Sequence, residues 1–408
     1  MADTLTSQSA PEGLLQARGA RRALAGFFVS GLLLSFTGAI LPAWGYHLTA
    51  GYGVIALYFL FLTGGILISI WTALWLLPRR GISFVLTLAC SIACGAILFL
   101  ASVPPPASPW WRMLGLFALG ASAGLLQSGA FEAISPLYRH DPAATVNLGG
   151  TLLGGGCLSM ALLVAGTYYI YTVPSILIWT SVIPGFFAIS YSKVRYGAPP
   201  PRHRVSVIEG LRQFRSPVAV LFALLLFFQF GSEWSLAGWL PLFLVQRLGI
   251  SPAQSLQLLA LYWVALMAGR LVAQSVLPRV NRAKVLLLCA VGALFGATVL
   301  EFTNNRFGAV TGILFLGAAF APIYPIVVEK IGYRFPYYHP GLFNGIFSFA
   351  TMGALLAPCS IGVFARFWGV RVLMGLPAAG TMMVLILVLA IWVEARISAQ
   401  KSRRVAAP

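Results

Sequence analysis

Long apolar runs separated by short polar or basic breaks fill almost the whole chain. About 20 apolar residues of α-helix, rising 1.5 Å each, cross the ~30 Å hydrocarbon core of a bilayer. By that measure the runs number twelve: roughly 23–47, 54–77, 82–103, 112–137, 146–171, 174–192, 217–245, 255–276, 285–303, 308–328, 342–365 and 372–395. The pattern predicts an all-α membrane protein with twelve transmembrane helices. The first run is too long for the apolar segment of a signal peptide. It lacks a small-residue cleavage site after it and follows a polar stretch of about twenty residues, so it reads as a span.

Composition narrows the class. Of 408 residues, 59% are hydrophobic and 9% charged, with mean hydropathy +0.88; soluble domains carry about 25% charged residues. A water-soluble enzyme, a disordered chain and a disulfide scaffold are excluded. The five cysteines (Cys90, Cys94, Cys157, Cys289 and Cys359) all lie inside apolar runs and read as small core hydrophobes. No spacing of His, Cys or acids suggests a metal site, and no cofactor is implied.

The net charge of +18 would suggest a nucleic-acid partner in a soluble chain. Here the basic residues sort by side instead. Twenty-one fall on the face that holds both termini, including Arg79, Arg80, Arg139, the cluster from Lys193 to Arg215, Arg279, Arg282, Lys284 and Arg396. The other face has Arg112, Arg247, Arg306, Arg366 and Arg371, and Arg270 lies inside a span. This asymmetry predicts cytoplasmic termini and a multi-pass protein of the cell membrane, in a bacterium the inner membrane, with no nucleic-acid partner.

Residues 193–216 form a basic linker that divides the chain into a first bundle, 23–192, and a second, 217–396, with cytoplasmic tails at 1–22 and 397–408. The halves echo each other. Leu77-Pro78-Arg79 recurs 200 residues later as Leu277-Pro278-Arg279, and Val85 and Leu86 recur as Val285 and Leu286. Asn147 and Gly156 in span five match Asn344 and Gly353 in span eleven at the same nine-residue interval. The expectation is a duplicated architecture of two pseudo-symmetric six-helix bundles.

These features resemble the major facilitator superfamily. Its basic loop after spans two and eight is matched by Gly269-Arg270-Leu271 leading into Leu277-Pro278-Arg279-Val280-Asn281-Arg282-Ala283-Lys284, with a degenerate first copy around Gly64-Gly65 and Leu77-Pro78-Arg79-Arg80-Gly81. The resemblance spans residues 20–396. Span seven, Phe230-Gly231-Ser232-Glu233-Trp234-Ser235-Leu236-Ala237-Gly238-Trp239-Leu240-Pro241, with Leu261-Tyr262-Trp263 in span eight, is similar to the fucose-permease-like branch, which mostly carries monosaccharides with protons. That branch has carboxylates where this chain has Gln127 and, in span one, near Gly38. Coupling through those two positions is therefore not expected here. The resemblance implies that Arg270 and Arg279 belong to an inner gate; the plainer reading of Arg270 is one more positive residue near the cytoplasmic end of span eight.

Acids inside a bilayer are costly enough that each needs a reason. Glu132 in span four and Glu233, read as lying in the outer half of span seven, are the two candidates for coupling. Glu233 is either a solute or proton ligand or a structural acid bonded to a neighbouring helix. Glu132 is either a coupling group or the partner of a gate cation such as Arg270. Carbohydrates are held by apolar ring faces together with amides and carboxylates. Trp44, Trp234, Trp239 and Trp263 supply rings, and Gln127, Asn147, Gln229 and Asn344 supply amides. Core packing, interfacial belts and helix–helix hydrogen bonds are the competing uses of both sets. Pro322 and Pro325 are expected to break span ten, and His47 reads as interfacial.

The expected function is secondary transport of a small polar solute, most simply a sugar or sugar-like compound, by alternating access in a monomer within the lipid bilayer. The coupling ion would be a proton or sodium. Export of amphipathic drugs or lipids and passive facilitation remain alternatives; an enzyme is not expected.

Overall fold

The computed structural model describes residues 9–49, 51–140, 142–194, 196, 217–334 and 340–405; side chains near several helix ends, that of Asn344 included, fall outside this set. Among the described residues the chain is helical throughout, without strands. The helices are α1 (Ser9–Ile40), the single turn α2 (Tyr46–Thr49), α3 (Tyr52–Ser102), α4 (Pro109–His140), α5 (Pro142–Thr167), α6 (Val173–Ser192), α7 (Pro217–Leu248), α8 (Pro252–Val276), α9 (Arg282–Phe302), α10 (Arg306–Arg334), α11 (Pro340–Trp368) and α12 (Val372–Val405). Proline opens α4, α5, α7, α8 and α11, where its fixed φ suits a first turn and its missing N–H costs nothing. At α9 the side chain of Asn281 caps the helix, accepting from Ala283 N at 2.9 Å.

Ten helical segments among the described residues are long and apolar enough to cross a membrane. Two of them, 52–102 with 51 residues and 349–397 with 49, are each more than twice the ~20 residues of one crossing. The first turns at Gly81, whose φ of 79° is open to glycine and strained for other residues. The second is interrupted by the short 3₁₀ turn Gly369–Arg371. Helix ends depart from the expected span ends. α1 begins within the expected N-terminal tail and stops at Ile40, and α12 runs on to Val405. Apolarity marks the part of a helix that lies in hydrocarbon, not where its backbone hydrogen bonds stop. α10 also runs unbroken through Pro322 and Pro325, against expectation. The Ala318 carbonyl, which Pro322 leaves without a helical donor, lies against α8 at Gly269. Most of the basic linker, 197–216, lies outside the described residues.

The chain falls into two compact units, one comprising 1–202 with 251–260 and the other 203–250 with 261–408. In the first, α1 packs on α5 and α4, and α3 on α4 and α6. In the second, α7 packs on α11, α12 and α10, and α9 on α10 and α12. The repeat is visible at its tightest contacts. A Cβ on Gly156 of α5 would strike the Phe28 carbonyl of α1, and one on Gly353 of α11 would strike the Phe227 carbonyl of α7. Likewise Gly120 of α4 sits against the Leu62 carbonyl, and Gly317 of α10 against the Tyr262 carbonyl. Large apolar side chains stand exposed along α3, α6 and α9, such as Trp71, Trp179, Phe186 and Leu288. This is the surface of a protein whose solvent there is lipid.

Candidate functional site

Gln229 and Glu233 lie four residues apart on α7 and so share one face of that helix. Both are buried, Gln229 completely and Glu233 to 6% exposure. The Gln229 amide donates to Glu233 Oε2 at 2.7 Å. Across from them, on α8, Arg270 brings Nη2 to 3.9 Å from Glu233 Oε1, with side chains 12% and 7% exposed. A buried carboxylate without a cation would be prohibitive, and this pairing is what makes Glu233 tenable there. The separation is too long for a hydrogen bond, so the contact is one of charge alone.

On these two helices stand buried polar atoms without partners: Arg270 Nη1 and Gln229 Oε1 at the pair itself and, two turns along α8 from Arg270, the indole Nε1 of Trp263. Trp263 is 1% exposed and its ring lies 6.0 Å from that of Trp234, the residue next to Glu233. Phe230 packs edge-on against Tyr324 of α10 at 5.1 Å. The seam between α7 and α8 therefore combines a loose ion pair, spare donors, a spare acceptor and two indole rings. Such a set can bind a polar molecule through directed hydrogen bonds, and its carboxylate can take up or release a proton.

The structure places the other expected residues as follows. Glu233 lies 15 residues before the end of α7 and Arg270 lies 18 after the start of α8, so the two share one level. Arg270, expected at a gate, finds its partner inside its own unit. Trp239 is fully buried and donates to the Pro358 carbonyl at 2.9 Å, tying α7 to α11. Trp44 packs edge-on to Phe36 and Tyr58, with the Arg112 guanidinium over its ring at 5.8 Å. The Trp44 Nε1 is buried without a partner. Gln127 and Glu132 on α4 and Asn147 on α5 are half-buried in the first unit, and Arg279 is exposed in the turn after α8. Asn344 lies on α11 with its side chain outside the described set.

Sequence reasoning missed Arg112, which it placed among the face charges. The residue is 3% exposed. Its Nε donates to Tyr58 Oη at 2.7 Å, Nη1 to the Ala107 carbonyl at 3.0 Å and Nη2 to Tyr46 Oη at 3.4 Å. The available signal was its position, a lone base right after Trp110-Trp111 at the start of an apolar run. The repeat also proves asymmetric in chemistry. Shifting by the 200 residues that relate Leu77-Pro78-Arg79 to Leu277-Pro278-Arg279 sets Gln229, Glu233 and Arg270 against Val29, Leu33 and Ile70. At these three positions the first unit has no ion pair among the described residues. A cavity of about 460 Å³ in the second unit, between α8, α9 and α10, is lined by Ala265, Val272, Val276, Cys289, Leu314 and other apolar residues. It suits alkyl chains and offers a hydroxylated solute nothing.

Comparison with known proteins agrees with this architecture. The chain is 22% identical over 365 residues to the protein TsgA homolog of Buchnera aphidicola subsp. Baizongia pistaciae, covering 84% of this chain and 87% of that one. Among solved structures it resembles a D-xylose-proton symporter, with TM-score 0.72 at 14% identity over 91% of this chain and 96% of the other. It also resembles the E. coli fucose:proton symporter FucP, with TM-score 0.59 at 15% identity over 91% and 98%. At such identities these likenesses speak for the fold. Residues 143–354, reaching into both units, match the family model of the Major Facilitator Superfamily. Many apolar helices, a repeated packing scheme and a match over half its length together make this chain a member of the Major Facilitator Superfamily, a many-span membrane transporter rather than an enzyme.

Proposed function

We propose that the protein is a secondary transporter of a small polar solute, a sugar or sugar-like compound, working by alternating access. Gln229, Glu233, Trp234, Trp263 and Arg270 are its solute and coupling centre. The observation that carries this reading is the set of buried, unpartnered polar atoms around the Glu233–Arg270 pair. Unpaired polar atoms in a buried seam are costly unless a ligand satisfies them. The indole rings of Trp234 and Trp263 offer apolar faces to sugar C–H surfaces. Glu233 is the acid whose proton occupancy depends on Arg270, which makes it the coupling group. The names of the xylose and fucose symporters attach sugar and proton to those proteins, and support the same pairing here.

Gln127, Asn147 and Asn344 remain proposed amide contacts from the other helices, and Glu132 a second acid. Arg279 remains the proposed gate residue, while Arg270 moves from the gate to the solute centre. The proposed arrangement in the membrane is two six-helix halves joined by the 193–216 linker. Both termini lie in the cytoplasm, and the membrane is a bacterial inner membrane. The apolar cavity beside α8 suits the alternative of amphipathic export.

Uptake of a panel of labelled sugars into proteoliposomes, with and without an imposed pH gradient, tests the reading. Saturable uptake accelerated by an inward proton gradient, and made gradient-independent by Glu233→Gln, is the expected result. Movement of hydrophobic dyes but of no polar solute would favour export instead.

A further inference from the structure

Arg270 donates no hydrogen bond among the described residues. Its contact with Glu233 is an ion pair at 3.9 Å, outside hydrogen-bonding reach, and its Nη1 is buried without a partner. A guanidinium carries five N–H groups in a planar fork, and leaving them unanswered in a buried position is expensive. Trp263, seven residues earlier and so near the same face of α8, adds a second buried donor without an acceptor. On the other wall, Gln229 has given its amide N–H to Glu233 and keeps one unanswered carbonyl oxygen. The seam thus has unanswered donors on Arg270 and Trp263 and, beside the Glu233 carboxylate, an unanswered amide oxygen on Gln229.

A neutral sugar answers these donors only with uncharged hydroxyl oxygens, each of which also brings an O–H donor that needs an acceptor of its own. A carboxylate brings acceptors alone, in the geometry that a guanidinium fork accepts bidentately. Resting on the transport reading of this seam, we infer that the solute carries a carboxylate, held by Arg270 with help from Trp263, and a hydroxyl that donates to Gln229. Its chemical class is a hydroxycarboxylate, of which a sugar acid is the sugar-like form. Seating that carboxylate takes Arg270 away from Glu233. Tyr262 on α8, Tyr324 on α10 and Cys359 on α11 offer Glu233 no cation in exchange. Lys330 on α10, Arg366 on α11 and Arg396 on α12 make no ion pair with it, and Glu329 on α10 is engaged with Arg282. Glu233 is then stable only when protonated, so one proton accompanies each carboxylate and the loaded carrier moves no net charge.

The test is proteoliposome uptake of galacturonate, gluconate and lactate beside galactose and xylose, at equal concentration. At least one carboxylate is expected to be taken up about tenfold or more faster than either neutral sugar, the factor that one charge-assisted hydrogen bond supplies. Arg270→Gln in a Glu233→Gln background, which keeps the seam uncharged and foldable, should lose that preference. Glu233→Gln alone should lose acceleration of carboxylate uptake by a proton gradient. Transport of galactose or xylose with no carboxylate overturns the inference and leaves the proposed function standing. Transport of neither class overturns both. Undiminished carboxylate preference in the double variant overturns the role of Arg270.

Discussion

Glu233 and Arg270 face each other across α7 and α8 with 3.9 Å between Oε1 and Nη2, close enough for charge and too far for a hydrogen bond. The two helices are joined by a short turn at Gly249, whose φ of 63° reverses the chain. From that turn each charge lies four to five helical turns away, Glu233 at the middle of α7 and Arg270 in the last third of α8. Sequence distance of 37 residues is thereby converted into a contact that neither helix could make alone.

Removing one partner leaves the other charge buried and uncompensated. Arg270→Gln on its own should therefore destabilise the protein by about 3–5 kcal/mol. The double change with Glu233→Gln should recover most of that loss, because two amides at this spacing carry no Born cost. Denaturant midpoints of the purified protein in detergent decide it. A double variant no more stable than Arg270→Gln alone would show that the pair is not energetically coupled.

The glycines at the α1–α5 and α7–α11 crossings make a sharper structural prediction. At Gly156 and Gly353 a methyl group would be driven into backbone carbonyls of Phe28 and Phe227, which cannot rotate away as a side chain could. Gly156→Ala and Gly353→Ala should each lower stability by about 1–3 kcal/mol, as overpacking does. Gly95→Ala in α3, where nothing lies within 4 Å of the new Cβ, should be neutral or gain about 0.5–1 kcal/mol from helix propensity. Thermal melts of the three variants side by side separate crowding from propensity. Equal effects at all three positions would mean that the crossings are looser than they look.

What could be read from the chain, and what could not, divides along physical lines. Apolar runs of about 20 residues revealed spans because lipid leaves a helical backbone few alternatives. Helix ends were not legible, since α1 and α12 continue as helices in segments whose polarity marks only the edge of the hydrocarbon. The matched pairs Asn147–Gly156 and Asn344–Gly353 were legible as a repeat, and the contacts of Gly156 and Gly353 explain why glycine stands at both. Glu233 was legible as an intramembrane acid. Its partner was not, because the level of Arg270 depends on where the α7–α8 turn falls. Arg112 looked interfacial because nothing local to Trp110-Trp111-Arg112 shows that Tyr46 and Tyr58 close over it.

That closure predicts that Arg112 cannot be replaced by lysine. The guanidinium reaches Tyr58 Oη, Tyr46 Oη and the Ala107 carbonyl at once, while an ammonium is a single point and cannot span them. Arg112→Lys should cost about 2–3 kcal/mol and Tyr58→Phe about 1–2 kcal/mol. The double variant should cost less than their sum. Strict additivity in chemical denaturation would show that Arg112 and Tyr58 do not act together.

His47, on the one-turn helix α2 outside the spanning segments, supplies the pH prediction. Its Nδ1 lies 3.1 Å from the Pro42 carbonyl, an acceptor only, so the neutral ring carries its proton on that nitrogen. Partial burial lowers its pKa below the ordinary histidine value of 6.5, and the Pro42 contact offsets this only in part. The unfolded chain therefore takes up a proton at a higher pH than the folded one. Stability is full above about 6.5 and falls as the pH drops from there toward the lowered folded value. Between pH 7.5 and 5.5 the melting temperature should fall more steeply in the wild type than in His47→Gln, which has nothing to protonate at that site. A wild type that gains stability relative to His47→Gln on acidification would mean that the folded state prefers the charged ring, and that the Pro42 contact, not burial, governs it.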